Sequence, residues 1–152
     1  VLDPVLIASG GGALAESSLV PFLKAQLLKR CTVITPNLPE AAALTGETNP
    51  QAAADALLRL GARWALVTGG DAATEQVDNL LAGESGSTMQ RWPRRVGQFH
   101  GTGCTLAAAL ATHLALGLDV PTASKAAQAY VDRSLAGAIR PGAGQSIPNR
   151  QF

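Results

Sequence analysis

The chain has 152 residues, 47% of them hydrophobic and 15% charged, against roughly 25% charged in an average soluble domain; that excludes a disordered polymer and suits one domain with a real core. Twelve basic and eleven acidic residues leave a formal net charge of +1. This excludes a global field for nucleic acid or an anionic membrane surface, so a phosphate ligand must be bound locally. No apolar run reaches the ~20 residues of a membrane span, and no basic segment leads into an apolar stretch at the start. Cys31 and Cys104 lack the spacing of a metal knuckle or a disulfide framework, so a reducing cytoplasm is expected.

The chain opens on Val1, inside an apolar run over residues 1–7 that reads as a buried strand, and the expectation is a single incomplete domain cut from a longer protein. After a glycine-rich break at Gly10, Gly11 and Gly12, residues 15–28 carry apolar side chains at helical spacing. Residues 31–35 are short, β-branched and closed by Pro36, as a strand would be. A helix is expected over 39–44. Asn49-Pro50 predicts a capped start for a second helix running to Leu60, with Gly61 as its stop. Residues 64–68 form another apolar strand, and 78–95 suggest a hairpin turning between Gly83 and Gly86. Two Ala/Leu-rich helices are expected over 102–116 and 121–138. Strands alternating with helices predict an α/β fold with a mostly parallel sheet in three α/β/α layers, and ligands beyond the carboxyl ends of its strands.

His100-Gly101-Thr102-Gly103-Cys104-Thr105 stands directly before a long helix. Glycines around Thr102 let backbone N–H groups converge, and the helix terminus adds partial positive charge, which together make an anion hole. In a first helical turn a thiol such as Cys104 can act as base or nucleophile. Equally, the glycines can serve close packing and Cys104 can be a small hydrophobe. His100 reads as a generic loop histidine rather than a partner in a thiol hydrolase. Asn37 and Glu40 are three residues apart at the end of the 31–35 strand, where they can hold water around Mg²⁺ or form a capping box. Asp3 has the same two readings, metal shell or turn former.

Taken in order, Asp3-Pro4-Val5, Thr35-Pro36-Asn37-Leu38-Pro39-Glu40, Leu44-Thr45-Gly46, Val67-Thr68-Gly69-Gly70 and Gly101-Thr102-Gly103-Cys104-Thr105 resemble the hydroxymethylpyrimidine/phosphomethylpyrimidine kinases of thiamine biosynthesis, of the ribokinase-like superfamily. The closing stretch 142–149 is also similar, and the likeness covers the family's C-terminal portion, with the N-terminal half missing. The resemblance implies ATP-dependent phosphorylation of the hydroxymethylpyrimidine and of its monophosphate, with Mg²⁺. It implies Cys104 as base within the Gly101, Thr102 and Gly103 anion hole, and Asn37, Glu40 and Asp3 around the metal. Thr68, Gly70, Thr102 and Gln128 would face ATP, and Val5 and Cys104 the pyrimidine. Thr68 and Gln128 stand where many members have lysine, for which Lys125 and Arg133 are candidate substitutes. The full-length protein would be a cytoplasmic homodimer without nucleic-acid or membrane partners, and this stretch alone would be inactive. A related vitamin kinase such as a pyridoxal kinase, or a non-catalytic ligand-binding fragment, remains as an alternative.

Overall fold

In the computed structural model, which describes residues 1–6 and 18–151, three helices start where Asn or Asp stands one or two residues before a proline. Helix α2 (Leu38–Thr45) is capped by Asn37, α3 (Pro50–Arg59) by Asn49 and α5 (Val120–Ala136) by Asp119. In each, the side-chain oxygen accepts an N–H that has no partner within the helix, and proline occupies a first-turn position that needs no donor. Gly46, at φ 82°, ends α2 in the left-handed conformation that a Cβ disfavours.

The described residues form two units, Val1–Arg91 and Trp92–Phe152. The first is built on a sheet ordered β1 (Val33–Ile34), β2 (Trp64–Val67), β3 (Gln76–Gly83) and β4 (Gly86–Pro93), whose last two residues open the second unit. β1 and β2 pair in parallel, Val33 opposite Trp64, and the chain between them supplies α2 and α3. β2 and β3 are antiparallel, Ala65 opposite Ala82. The sheet is thus mixed rather than mostly parallel. Its physical reason is the connection over residues 68–75, too short for the dozen or more residues that a parallel crossover needs. β3 and β4 are joined through Glu84 and Ser85, as the glycine spacing predicted. At Gly83 a Cβ would collide with the Trp64 indole, so that strand position requires glycine.

Leu28, Ile34, Leu44, Leu57 and Val67 lie in the core of this unit. Residues 1–6 contribute one parallel bridge, Leu2 to Ile34, in place of the expected strand; Ile7 is outside the described residues. Residues 15–17 of the expected first helix, and Gly10, Gly11 and Gly12, also lie outside them. The remainder is a short α1 (Leu19–Phe22), a π-helical turn (Leu23–Leu27) and a 3₁₀ turn (Leu28–Arg30).

In the second unit α4 (Thr102–Ala115) packs on α5, and Leu106, Leu110, Ala123, Ala127 and Val131 are buried. Arg95 donates through Nε and Nη2 to both Asp132 oxygens, at 2.8 and 2.7 Å. These two hydrogen bonds and the carboxylate's charge hold the Arg95 guanidinium above its ordinary pKa. The last segment runs back along the chain ahead of α4. Ser146 donates to Gln98 O and accepts from His100 N–H, both at 2.9 Å, and Asn149 N–H reaches Ser134 O. Among the described residues, no helix is long and apolar enough to cross a membrane.

Candidate active site

Asn37 and Glu40 form a full capping box. Asn37 Oδ1 accepts the Glu40 N–H at 2.8 Å, and Glu40 Oε2 accepts the Asn37 N–H at 3.0 Å. Glu40 is only 6% exposed, and its Oε1 accepts the Leu6 N–H at 3.2 Å. Among the described residues each carboxylate oxygen accepts one backbone N–H, and a carboxylate offers about four lone-pair positions, acceptor chemistry suited to a hydrated cation. Among the described residues no group of three or more His, Cys, Asp or Glu is gathered to cage a metal directly. This donor set fits Mg²⁺ held through its waters, the form in which that ion is usually bound, and not a bare ion. Asp3 is half-buried in the segment that bridges to β1.

Val5 is exposed and has φ 24°, which a β-branched side chain adopts only under strain. Thr68 leaves the end of β2 half-buried, bridged to Asn37 through its N–H on Pro36 O at 2.9 Å. This bridge places the loops after β1 and β2 side by side. Gly69 then passes so close to β3 that a Cβ would collide with the Asp78 carbonyl, while its N–H donates to the buried Asn79 Oδ1 at 3.0 Å. Gly70 is exposed, with nothing within 4 Å of the place of a Cβ.

In the second unit Gly101 is the N-cap of α4, at φ 84°, and no side chain caps this helix. The ladder begins when the Thr105 N–H meets Gly101 O at 3.0 Å. The N–H groups of Thr102, Gly103 and Cys104 precede it and have no partner within the helix. Gly103 and Cys104 are exposed, and a Cβ at Gly103 would meet only open space. The arrangement can receive an anion beside an accessible thiol. Gln128 is 3% exposed and donates through Nε2 to Ser124 O and Oγ at 3.2 and 3.0 Å. Lys125 and Arg133 are exposed on the same helix. Cys31 is half-buried and donates to Leu28 O; burial pushes its thiol pKa up, so it is the less reactive cysteine by environment.

The sequence reading did not find Gly69 as a close approach, quoted Thr105 within its motif without giving it a role, and passed over Arg150. Thr105 carried a signal, since a threonine four residues after a loop glycine can bond back to its carbonyl. Its Oγ1 does so, at 2.7 Å from Gly101 O. Arg150 carried none, lying 45 residues beyond Thr105, to which its Nε donates at 3.1 Å.

The family model for phosphomethylpyrimidine kinase matches residues 1–149. A hydroxymethylpyrimidine/phosphomethylpyrimidine kinase of Streptomyces coelicolor is 44% identical over 150 residues, covering 95% of this chain and 55% of that protein. The Rhizobium meliloti enzyme of the same name is 38% identical, over 95% of this chain and 57% of its own. Among solved structures, an ADP complex of Bacillus subtilis pyridoxal kinase superposes with a TM-score of 0.88 at 27% identity, covering 97% of this chain and 58% of that one. A phosphomethylpyrimidine kinase from Clostridium difficile 630 gives 0.70 at 28% identity, over 85% and 54%. The chain spans a little over half the length of these relatives. Its α/β fold is of the ribokinase-like kind expected from the motifs, and the chain belongs to the phosphomethylpyrimidine kinase family.

Proposed function

We propose that the full-length protein phosphorylates 4-amino-5-hydroxymethyl-2-methylpyrimidine, and then its monophosphate, using ATP. The observation that carries this reading is the exposed Cys104 in the first turn of α4, beside three N–H groups that have no partner within the helix. Family membership and the names of the relatives support it. Cys104 accepts the proton of the substrate hydroxymethyl group. The freed oxygen attacks the γ-phosphorus of ATP, the bond to the β,γ-bridging oxygen breaks, and ADP leaves with that electron pair. Gly101, Thr102 and Gly103 direct backbone donors at the charge that develops on the transferred phosphoryl oxygens.

Asn37 and Glu40, with Asp3, would hold Mg²⁺ through water, and the ion would supply charge neutralisation on the phosphates. Thr68, Gly70 and Thr102 contribute to nucleotide binding, and Gln128, buried in α5, contributes through that helix rather than by direct contact. Val5 lines the pyrimidine site. On the same resemblance the full-length protein is a cytoplasmic homodimer.

A second reading, phosphorylation of pyridoxal, is favoured by the TM-scores of 0.87 and 0.88 to pyridoxal kinases, one of them solved with pyridoxal. A substrate panel assayed with ATP separates the two. Turnover of the pyrimidine with little on pyridoxal supports the first, the reverse pattern supports the second, and turnover of neither contradicts both.

A further inference from the structure

Arg150 and Gly101 are joined through one side chain. The Thr105 hydroxyl has a single hydrogen, which is committed to Gly101 O at 2.7 Å, so the same oxygen must accept from Arg150 Nε–H at 3.1 Å. The direction of this relay is therefore fixed, from guanidinium to hydroxyl to carbonyl. Each bond polarises the next. Among the described residues Arg150 makes no ion pair, and its Nη2 stands 3.1 Å from where a Cβ on Gly101 would lie. The main chain at Arg150 is itself held, its carbonyl accepting from Tyr130 on α5 at 3.3 Å. Thr105 is buried, so solvent cannot readily replace the arginine as donor.

The consequence lies in the peptide unit that follows Gly101. That unit is planar and trans, so its C=O and the Thr102 N–H point in opposite directions. A Gly101 carbonyl held down into the helix aims the Thr102 N–H outward, with those of Gly103 and Cys104. Gly101 is at φ 84°, a residue type with an unusually broad choice of conformations, and no side chain caps the helix there. The Gly101 carbonyl is held by the Thr105 N–H at 3.0 Å and a second time by the Thr105 hydroxyl, the bond that Arg150 orients. We propose that Arg150 is a positioning residue for the phosphoryl-transfer site, locking the Gly101–Thr102 peptide through Thr105. This rests on the function proposed above.

The test uses the full-length protein with Arg150→Met, Arg150→Lys, Thr105→Val and the Met/Val double variant. Arg150→Met is expected to lower kcat about tenfold while KM for the pyrimidine moves less than about twofold, because orientation and not ground-state binding is lost. Arg150→Lys, which keeps one donor, should recover most of kcat. The double variant should be no slower than Thr105→Val alone, since both changes cut one relay. A wild-type kcat in Arg150→Met, or losses that multiply in the double variant, overturns the proposal. Amide hydrogen exchange gives a readout that does not need turnover. The Thr105 N–H should exchange about tenfold faster in Arg150→Met while the Ala123 N–H of α5 is unchanged. Unchanged Thr105 exchange overturns the relay. If the wild-type protein phosphorylates neither vitamin alcohol, the proposed function fails by itself, and the exchange measurement still decides the role of Arg150.

Discussion

The carboxylate of Glu40 accepts the backbone N–H of Leu6, 34 residues earlier in the chain, while also closing the capping box on Asn37. One side chain therefore fixes both the start of α2 and the segment containing Asp3 and Val5. A mutation here acts on stability and on the proposed metal shell at once. Glu40→Gln replaces one acceptor oxygen by an NH₂ group facing a buried N–H, at a cost of about 1–3 kcal/mol. The melting temperature should fall, and the Mg²⁺ concentration for half-maximal activity should rise even under conditions where the variant is fully folded. An unchanged Mg²⁺ titration would leave Glu40 with the structural role alone.

On the proposed function, Thr68 offers a hydroxyl where a cation would meet the phosphates of the nucleotide. Its main-chain N–H bonds Pro36 O, and a change of side chain leaves that bond in place. Thr68→Lys should tighten ATP binding roughly ten- to a hundredfold, the worth of a charge-assisted contact. Isothermal titration with no gain would show that the position does not face the phosphates.

Gly101 combines a positive φ with the nearby Arg150 guanidinium. Gly101→Ala is strained in its backbone and must also displace Nη2, so it should destabilise the protein by more than about 1 kcal/mol. Urea unfolding at constant m-value measures this, and an unchanged midpoint would contradict the geometry given for the α4 start.

Asp119 caps α5 by accepting the Thr122 N–H at 2.9 Å and its hydroxyl at 3.0 Å. The backbone bond first, and the hydroxyl second, hold its pKa below the ordinary carboxylate value. A depressed folded-state pKa means that the charged cap stabilises above the unfolded value, about 3.9, and that this contribution is lost as pH falls through the lower folded value. Asp119→Ala should lower the melting temperature at neutral pH, and its deficit relative to wild type should shrink as pH falls below about 4. A deficit that is constant with pH would assign the effect to the helix start without its charge.

The starts of α2 and α3 were legible because their chemistry is local: Asn37 and Asn49 each cap within three residues, and Asp119 does the same for α5 although the sequence reading did not single it out. The turn between Gly83 and Gly86 was legible for the same reason. Strand direction was not, since alternation of strands and helices cannot show that residues 68–75 return without a crossover. At the candidate site, the sequence pattern left capping box and metal shell as alternatives for Asn37 and Glu40, and the structure shows the capping box formed. Spacing could not reveal that Glu40 also reaches Leu6, nor that Arg150 comes back to Thr105, because both are long-range contacts with no periodic signature. Gln128 was placed near the nucleotide by resemblance, and its burial against Ser124 depends on how α5 packs.

The central claim is tested most directly at Cys104. Being exposed, Cys104 can be replaced without opening a cavity, so Cys104→Ala should keep the wild-type melting temperature while turnover falls by about 10²–10⁴-fold, the usual contribution of a general base. Cys104→Asp, which restores a proton acceptor, should retain activity. The measurement is formation of phosphorylated hydroxymethylpyrimidine from ATP by the full-length wild-type and both variants, followed by product separation. The account requires product from the wild type and from Cys104→Asp and a deep loss in Cys104→Ala; wild-type turnover in Cys104→Ala, or no product from the wild type, would contradict it.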